Sequence, residues 1–210
     1  MDEYVISLAD AAATDADSVG PKAANLAALA QAGLPTPEGF CLTANAYRRQ
    51  IAHLGLADSV RAYRDTDAPA QRRLSVEIWL QLYQADLAPE LKDQILALWG
   101  KVQKPAAVRS SALIEDRIDA GFAGQFESFL GIGDKDEFLV AMRACWAALW
   151  TTNARRAIAQ RALDPGSTAM AVLVQPLVAA IASGGGFKRD RRRQHASQRH
   201  MGPRFGDRAG

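Results

Sequence analysis

The sequence predicts a mixed domain of the α/β or α+β class. Apolar residues recur at helical spacing in several runs, and short apolar stretches bounded by glycine, proline or aspartate separate those runs. The chain has 210 residues, 49% of them apolar, which is enough to bury a substantial core. We therefore expect one sizeable domain or two small lobes, without an internal repeat.

The first elements are predicted to be a helix, a strand and a second helix. Pro21 suits the first turn of a helix that Gly33 closes, so Lys22 is placed at a helix N-terminus. Residues 39–43 form a short apolar stretch typical of a buried strand. Thr43 is a candidate N-cap for the helix that follows.

Two helices and a pair of strands follow the weakly patterned residues 57–70. Pro89 separates two runs of helical period, and residues 105–108 are predicted to be a strand that delivers Arg109. Residues 127–132 are predicted to be a second strand after a glycine-containing loop. A β-loop-β unit therefore presents the polar residues between these strands.

The last regular elements are a core-facing helix and a strand. Asp134 and Glu137 predict a capping box for the helix, whose apolar stripe runs to Trp150. A turn at residues 164–166 then precedes a strand at residues 170–174.

Residues 185–210 differ from the rest in composition. They hold eight Lys and Arg against two Asp, a charge of +6, which leaves −4 for the remainder of a chain whose total is +2. Few aliphatic residues are present to offset the entropy of ordering, so we expect this basic tail to be disordered.

Composition argues against several classes of protein. The first ten residues carry three acids and no base, unlike a secretory signal, so a cytoplasmic location is expected. The longest nearly apolar run, residues 170–182, is interrupted and shorter than the ~20 residues of a membrane span, so no membrane partner is expected. Cys41 and Cys145 lie in apolar patterns and are expected to be reduced core residues.

The polar residues after the strand at 105–108 suit oxygen-rich anions such as phosphates. Arg109 carries a planar fork of donors, Ser110 and Ser111 carry hydroxyls, and Gly124 lets backbone N–H groups approach a ligand. We expect this chemistry to lie on a loop.

Simpler interpretations exist for the same residues. Arg109 could form a surface ion pair with Glu115 or Asp116, and the serines could satisfy nearby backbone groups. No histidine lies near enough in sequence to activate a serine, and the common nucleotide-loop, zinc and Cys-x-x-Cys motifs are absent. We therefore assign no residue a catalytic or metal-binding role.

Two segments together resemble a known family. Gly20-Pro21-Lys22-Ala23-Ala24-Asn25-Leu26 and the later Arg109-Ser110-Ser111 with Phe122-Ala123-Gly124-Gln125 are similar to the N-terminal nucleotide-binding domain of the pyruvate phosphate dikinase and phosphoenolpyruvate synthase family. The resemblance covers roughly residues 19 to 190. It implies an ATP-grasp-type fold and an ATP-dependent phosphotransferase, a kinase that uses ATP and Mg²⁺.

The resemblance also implies which residues bind ATP. Lys22 and Arg109 would contact phosphates, the glycine loop would cover the triphosphate, and the end of the last strand would form an adenine hinge. For that hinge, the residues by themselves are equally compatible with a plain connection. The implied ATP-binding residues are Lys22, Arg109, Ser110, Ser111, Phe122, Ala123, Gly124, Gln125, Gln175 and Leu177.

The resemblance ends after Asp190. In the family, the next segment supplies acidic and amide ligands for Mg²⁺, and a later domain carries the histidine that accepts the phosphoryl group. We therefore expect a partial, truncated ATP-binding domain at residues 1–184 and a tail at 185–210, which a shifted reading frame or a truncated gene would explain. Such a chain would have little turnover unaided, and a partner chain could supply the missing domains.

An alternative from another class is a non-catalytic fragment that binds a polyanion or a partner through its basic tail. Arginine-rich tails bind phosphate backbones, but this tail lacks interleaved aromatic residues and follows an acidic domain. The sequence therefore does not favour nucleic acid, and it does not choose the phosphoryl acceptor, whether pyruvate or another molecule.

Overall fold

The computed structural model describes residues 3–114 and 126–180, which fold around a five-stranded antiparallel sheet. The strands are β1 (Val5–Ser7), β2 (Phe40–Leu42), β3 (Ala106–Ala112), β4 (Ser128–Ile132) and β5 (Met170–Pro176). Their order across the sheet is β1-β2-β5-β3-β4, so the last strand in sequence lies at the centre. The mixed helix-and-sheet class is confirmed.

Helices pack on both faces of this sheet. Helix α6 lies against β3 and β5 on one face, and α1 lies against the same two strands on the other. The helices are α1 (Ala16–Gln31), α2 (Ala44–His53), α3 (Ala57–Ala62), α4 (Ala68–Gln84), α5 (Pro89–Trp99), α6 (Lys135–Ala147) and α7 (Thr152–Ala159).

The two faces bury cores of different sizes. The α6 face carries the larger core, which includes Phe138, Trp146 and Trp150. The α1 face carries a smaller cluster in which Val19 and Ala23 pack near Cys41 and Leu173. The small side chains of α1 allow this helix to lie close to the sheet.

Most of the predicted helix ends are confirmed. Thr43 caps α2 by accepting a hydrogen bond from the N–H of Ala46 at 3.3 Å, and Pro89 is the first residue of α5. Asp134 caps α6 as expected. The Glu137 carboxylate accepts the reciprocal hydrogen bond from the N–H of Gly133, one residue before the expected donor.

The polar run after residue 108 differs from the expectation. Strand β3 continues to Ala112, so Arg109, Ser110 and Ser111 lie within the sheet and not on a loop. They pair with Leu173, Val172 and Ala171 of β5. The expectation of a loop was wrong because Arg109, Ser110 and Ser111 pair with β5, which lies about sixty residues later in the sequence. No residue near the serines in sequence indicates this pairing.

Both cysteines are free and buried, as expected of reduced core residues. Burial raises the pKa of each thiol far above its ordinary value; for Cys145 the charge of Glu127 adds to the rise and that of Lys22 opposes it. The thiols are therefore held in the neutral form. Among the described residues, no helix is both long and apolar enough to cross a bilayer.

The buried thiols predict a loss of stability at high pH. Below the ordinary thiol value of 9.0 both the folded and the unfolded protein keep the thiol protons. Above it, only the unfolded chain releases them, so the free energy of unfolding should fall by about 1.4 kcal/mol per pH unit for each thiol. Urea unfolding between pH 8 and 10.5 measures this slope.

The Cys41→Ala variant provides the comparison. Its unfolding free energy should fall less steeply than that of the unsubstituted chain above pH 9, while the two should run parallel at pH 6–8. Parallel curves across the whole range would contradict a buried neutral thiol at this position.

Candidate functional site

The first turn of the main part of α1 is held by a residue from β3. Gly20 has φ +73° and breaks the helix, which resumes at Pro21. The N–H of Lys22 then donates to the Oγ of Ser111 at 3.2 Å, and Ser111 is fully buried. A short helical turn thus precedes Gly20, and the main part of α1 begins at Pro21, where the sequence predicted the helix to start.

The side chain of Lys22 is also bound to β3. Its Nζ donates to the backbone carbonyl of Ser110 at 2.7 Å. The pairing of β3 with β4 ends at Arg109 and Ser128, so this carbonyl lies just beyond the ladder. The ammonium group therefore satisfies a carbonyl that the neighbouring strand no longer reaches.

The two serine hydroxyls are used inside the protein. Ser110 Oγ donates to the Glu127 carbonyl at 2.9 Å, and the Ser110 N–H donates to the same carbonyl at 3.4 Å. Ser111 Oγ accepts from the helix as described above. Both side chains are completely buried, so their hydroxyls stabilise the contacts of β3 with α1 and with Glu127. That these serines bind ATP stays a prediction.

Arg109 has a different environment. It is partly buried and lies between Leu173 of β5 and Ser128 of β4. With residues 3–114 and 126–180 considered, its guanidinium has no hydrogen-bond or ion-pair partner; Glu115 and Asp116, the alternative partners, lie outside the described residues. A cation in this position is available to an anion from outside the fold.

Strand alternation places Arg109 on the α1 face of the sheet. Residues opposite one another in a ladder share a face, and Leu173 belongs to the cluster that packs on α1. On the same face, β4 presents Ser128 and Leu130, and Leu130 is 64% exposed. We call the surface that β5, β3 and β4 form on this face, within the described parts of the chain, the open floor. It is open to solvent along β4, whereas Leu173 and Ala107 are buried.

Gln175 lies on the same floor, closer to the far end of β5. It pairs with Ala107, two residues from the position opposite Arg109. Its Oε1 is buried and finds no hydrogen-bond partner among the described residues. A buried amide oxygen without a partner is costly, so it is a natural acceptor for a ligand N–H group.

The backbone at Leu177 does not match its expected role. The proline at 176 was expected to leave backbone groups free for an adenine edge, but the Leu177 N–H donates to the Pro105 carbonyl at 2.8 Å. Its side chain is 37% exposed and lines a cavity of about 840 Å³ together with Gly39 and Lys104. In the described parts of the chain, the polar atom near this strand end that lacks a partner is therefore Oε1 of Gln175.

The site has a definite length along the sheet. From Leu173, opposite Arg109, to Leu177 at the cavity the chain advances four residues, or about 13 Å in a strand. Arg109 and Lys22 thus lie at one end of the floor, and a cavity that Leu177 lines together with the charged Glu38, Lys101 and Lys104 lies at the other. This length accommodates an extended ligand with an anionic group at Arg109 and a ring at the cavity.

Other parts of the predicted site lie outside the residues that the structure describes. Phe122, Ala123, Gly124 and Gln125, and the basic tail at 185–210, lie outside the described residues. In the described ranges, no three His, Cys, Asp or Glu side chains come together as a metal site would require. We therefore assign none of these residues to Mg²⁺.

Comparison with known proteins identifies the family. Residues 16–206 match the pyruvate phosphate dikinase AMP/ATP-binding domain. The chain belongs to this family. The resemblance that rested on the Lys22 and Arg109 segments is thereby confirmed, but its expected end after Asp190 is wrong, because the match continues to residue 206. The chain is an ATP-binding domain of the phosphoenolpyruvate synthase and pyruvate phosphate dikinase type.

Relatives in this family are much longer than this chain. It is 33% identical over 178 residues to the phosphoenolpyruvate synthase of Aeropyrum pernix, which covers 79% of this chain and 22% of the relative. It is 34% identical over 196 residues to the rifampicin phosphotransferase of Streptomyces sviceus, covering 90% and 25%. The phosphoenolpyruvate synthase of Neisseria meningitidis serogroup B is 33% identical over 200 residues, covering 88% and 25%. The chain therefore spans about a quarter of the length of these relatives.

The sequence predicts Lys22 and Arg109 as the cations of the candidate site, but it does not predict two supporting features. The capping of Lys22 by Ser111 joins residues 89 apart and has no local signal. The second feature is Oε1 of Gln175, which has no partner among the described residues. The sequence predicted free backbone groups at this strand end and not a free side-chain oxygen. A signal for this oxygen was available, since an amide within an otherwise apolar buried strand needs a partner.

Gly20 supplies a prediction about this junction. A side chain there would need the strained left-handed backbone and would also overlap the carbonyl and hydroxyl of Ser111. Gly20→Ala should therefore lower the free energy of unfolding by clearly more than the about 1–2 kcal/mol of a left-handed alanine. Urea denaturation measures the loss.

Gly33→Ala is the matched control. Gly33 has a similar φ of +78° but no atom within 4 Å of an added Cβ, so only the backbone strain applies. Equal losses in the two variants would show that α1 and β3 do not meet as closely as described.

Proposed function

We propose that ATP binds along the open floor, with its triphosphate at Lys22 and Arg109 and its base toward Gln175 and Leu177. The family supports ATP as the ligand. The observation that carries the placement is the partly buried Arg109 guanidinium, which has no partner among the described residues and lies on the α1 face. An arginine fork matches the geometry of phosphate oxygens.

Lys22 and Arg109 would act on the same end of the nucleotide. The Lys22 ammonium lies 2.7 Å from the carbonyl of Ser110, the residue after Arg109. Two positive charges at one strand end would together stabilise a triphosphate more than either would by itself. The glycine-containing segment 122–125 would add backbone donors, since the chain returns from it beside the Glu127 carbonyl that Ser110 binds.

The base would lie at the other end of the floor. Gln175 offers an amide oxygen that has no partner among the described residues, and the exposed Leu177 and part of the neighbouring cavity offer apolar surface to a ring. The exocyclic amino group of adenine is a donor, whereas the corresponding atom of guanine is an acceptor. An amide oxygen at this place would therefore favour the adenine nucleotide.

The reaction class follows from the relatives. We propose that this chain is the ATP-binding part of a phosphoenolpyruvate synthase-like or pyruvate phosphate dikinase-like phosphotransferase. In this role its residues bind and orient the nucleotide, and the phosphoryl acceptor would be set by parts of the longer proteins that this chain does not match. The proposed activity of the described residues is therefore binding, and its test is a binding measurement.

Arg109→Gln tests the phosphate end. It should weaken ATP binding about tenfold or more, because it removes a charged hydrogen-bonding group. It should leave the urea midpoint nearly unchanged, because no described residue pairs with the guanidinium. Calorimetric titration of the 210-residue chain with ATP, in the presence and absence of Mg²⁺, measures the effect.

The control for this experiment is Arg64→Gln. Arg64 is exposed and lies in the connection between α3 and α4, away from the floor. ATP affinities that are equal in the Arg109 variant and the unsubstituted chain would remove Arg109 from the site.

Gln175→Leu tests the base end. Leucine keeps the approximate size but removes the amide, so ATP affinity should fall about fivefold, the effect of one hydrogen bond, while GTP affinity stays nearly the same. The ratio of the two dissociation constants is the readout. The exposed Gln160→Leu serves as a control, and an equal loss for ATP and GTP would argue against base recognition by Gln175.

A further inference from the structure

Lys22 is held at both of its ends by consecutive residues of β3. Its backbone N–H donates to the side chain of Ser111 at 3.2 Å, and its ammonium group donates to the carbonyl of Ser110 at 2.7 Å. Arg109 is the residue immediately before these two. Three successive residues of β3 therefore have three roles. Arg109 carries one cation, Ser110 binds the ammonium of Lys22, and Ser111 binds the helical turn that carries Lys22.

The hydroxyl of Ser111 replaces a helix cap that the local sequence does not supply. An N-cap side chain normally comes from the residue just before the helix, but here that residue is Gly20, which has none. Pro21 has no N–H, so the N–H of Lys22 is the first donor after the break. A buried N–H without an acceptor is costly, and Ser111 provides the acceptor.

The same contact explains why Ser111 is not itself placed to meet a ligand. The residue is completely buried, and its Oγ is engaged with the helix. A Cβ on Gly20 would overlap both the hydroxyl and the carbonyl of Ser111, so the helix backbone and the strand touch at this point. The hydroxyl faces α1 and not the open floor.

We propose that Ser111 is a positioning residue that acts on the nucleotide through Lys22. This inference rests on the proposed function, because its effect is read in ATP binding. With the cap present, the first turn after Gly20 holds one orientation, and the ammonium stays beside Arg109. Without the cap, the turn has an unsatisfied N–H, and the ammonium samples positions away from the triphosphate.

A double-mutant cycle tests the proposal in the 210-residue chain. The variants are Ser111→Ala, Lys22→Met and the two combined, and the readouts are the dissociation constants for ATP and for AMP. Ser111→Ala should weaken ATP binding about fivefold, the effect of losing one cap. It should leave AMP binding nearly unchanged and cause no further loss of ATP affinity once Lys22 is methionine.

Two further variants separate positioning from general damage. Ser75→Ala removes another buried serine hydroxyl, one that donates to the Arg72 carbonyl on α4, and should lower stability without changing the ratio of ATP to AMP affinity. Ser111→Cys keeps the volume but is a weak acceptor, so it should reproduce the loss of ATP affinity even if the alanine variant folds poorly.

The outcomes distinguish this inference from the function on which it rests. Normal ATP affinity in both Ser111 variants, an equal loss for ATP and AMP, or a full further loss in the Lys22→Met background would each overturn the positioning role. The proposed function would then still stand on Arg109. No ATP binding by the unsubstituted chain, or no effect of Lys22→Met, would overturn the proposed phosphate site and this inference with it.

Discussion

The site depends on the close contact between the start of α1 and the end of β3. Gly20 adopts a backbone conformation that breaks the helix and lets it touch Ser111, and Lys22 then binds both Ser111 and Ser110. If this contact were looser, the lysine and the arginine would not share one strand end. The positions of the two cations are thus a consequence of backbone geometry more than of their own side chains.

The central position of β5 makes that contact possible. This strand pairs with β3 along seven residues and with β2 on its other side. It thereby anchors β3 in the sheet while α1 and α6 cover opposite faces. Because α6 and the larger core occupy one face, the remaining surface beside α1 is left for a ligand.

Polar groups at the site fall into two kinds. The hydroxyls of Ser110 and Ser111 are buried and bonded within the protein, so they stabilise the arrangement. The partly buried guanidinium of Arg109 and the buried amide oxygen of Gln175 lack partners among the described residues, and for the buried oxygen an unmade hydrogen bond is costly. This contrast separates residues that build the site from residues available to a nucleotide.

The sequence by itself determined the mixed class and most helix ends, and it predicted the two cations of the candidate site, because those features follow from local periodicity, capping residues and a short motif. It placed Lys22 at a helix start and Thr43 and Asp134 at caps without any distant information. It could not determine that Arg109-Ser110-Ser111 continue a strand or that Ser111 caps Lys22. Nor could it determine that the Leu177 N–H is bonded while Oε1 of Gln175 lacks a partner among the described residues. Those facts depend on pairing between segments tens of residues apart, and only the tertiary structure decides which donor meets which acceptor.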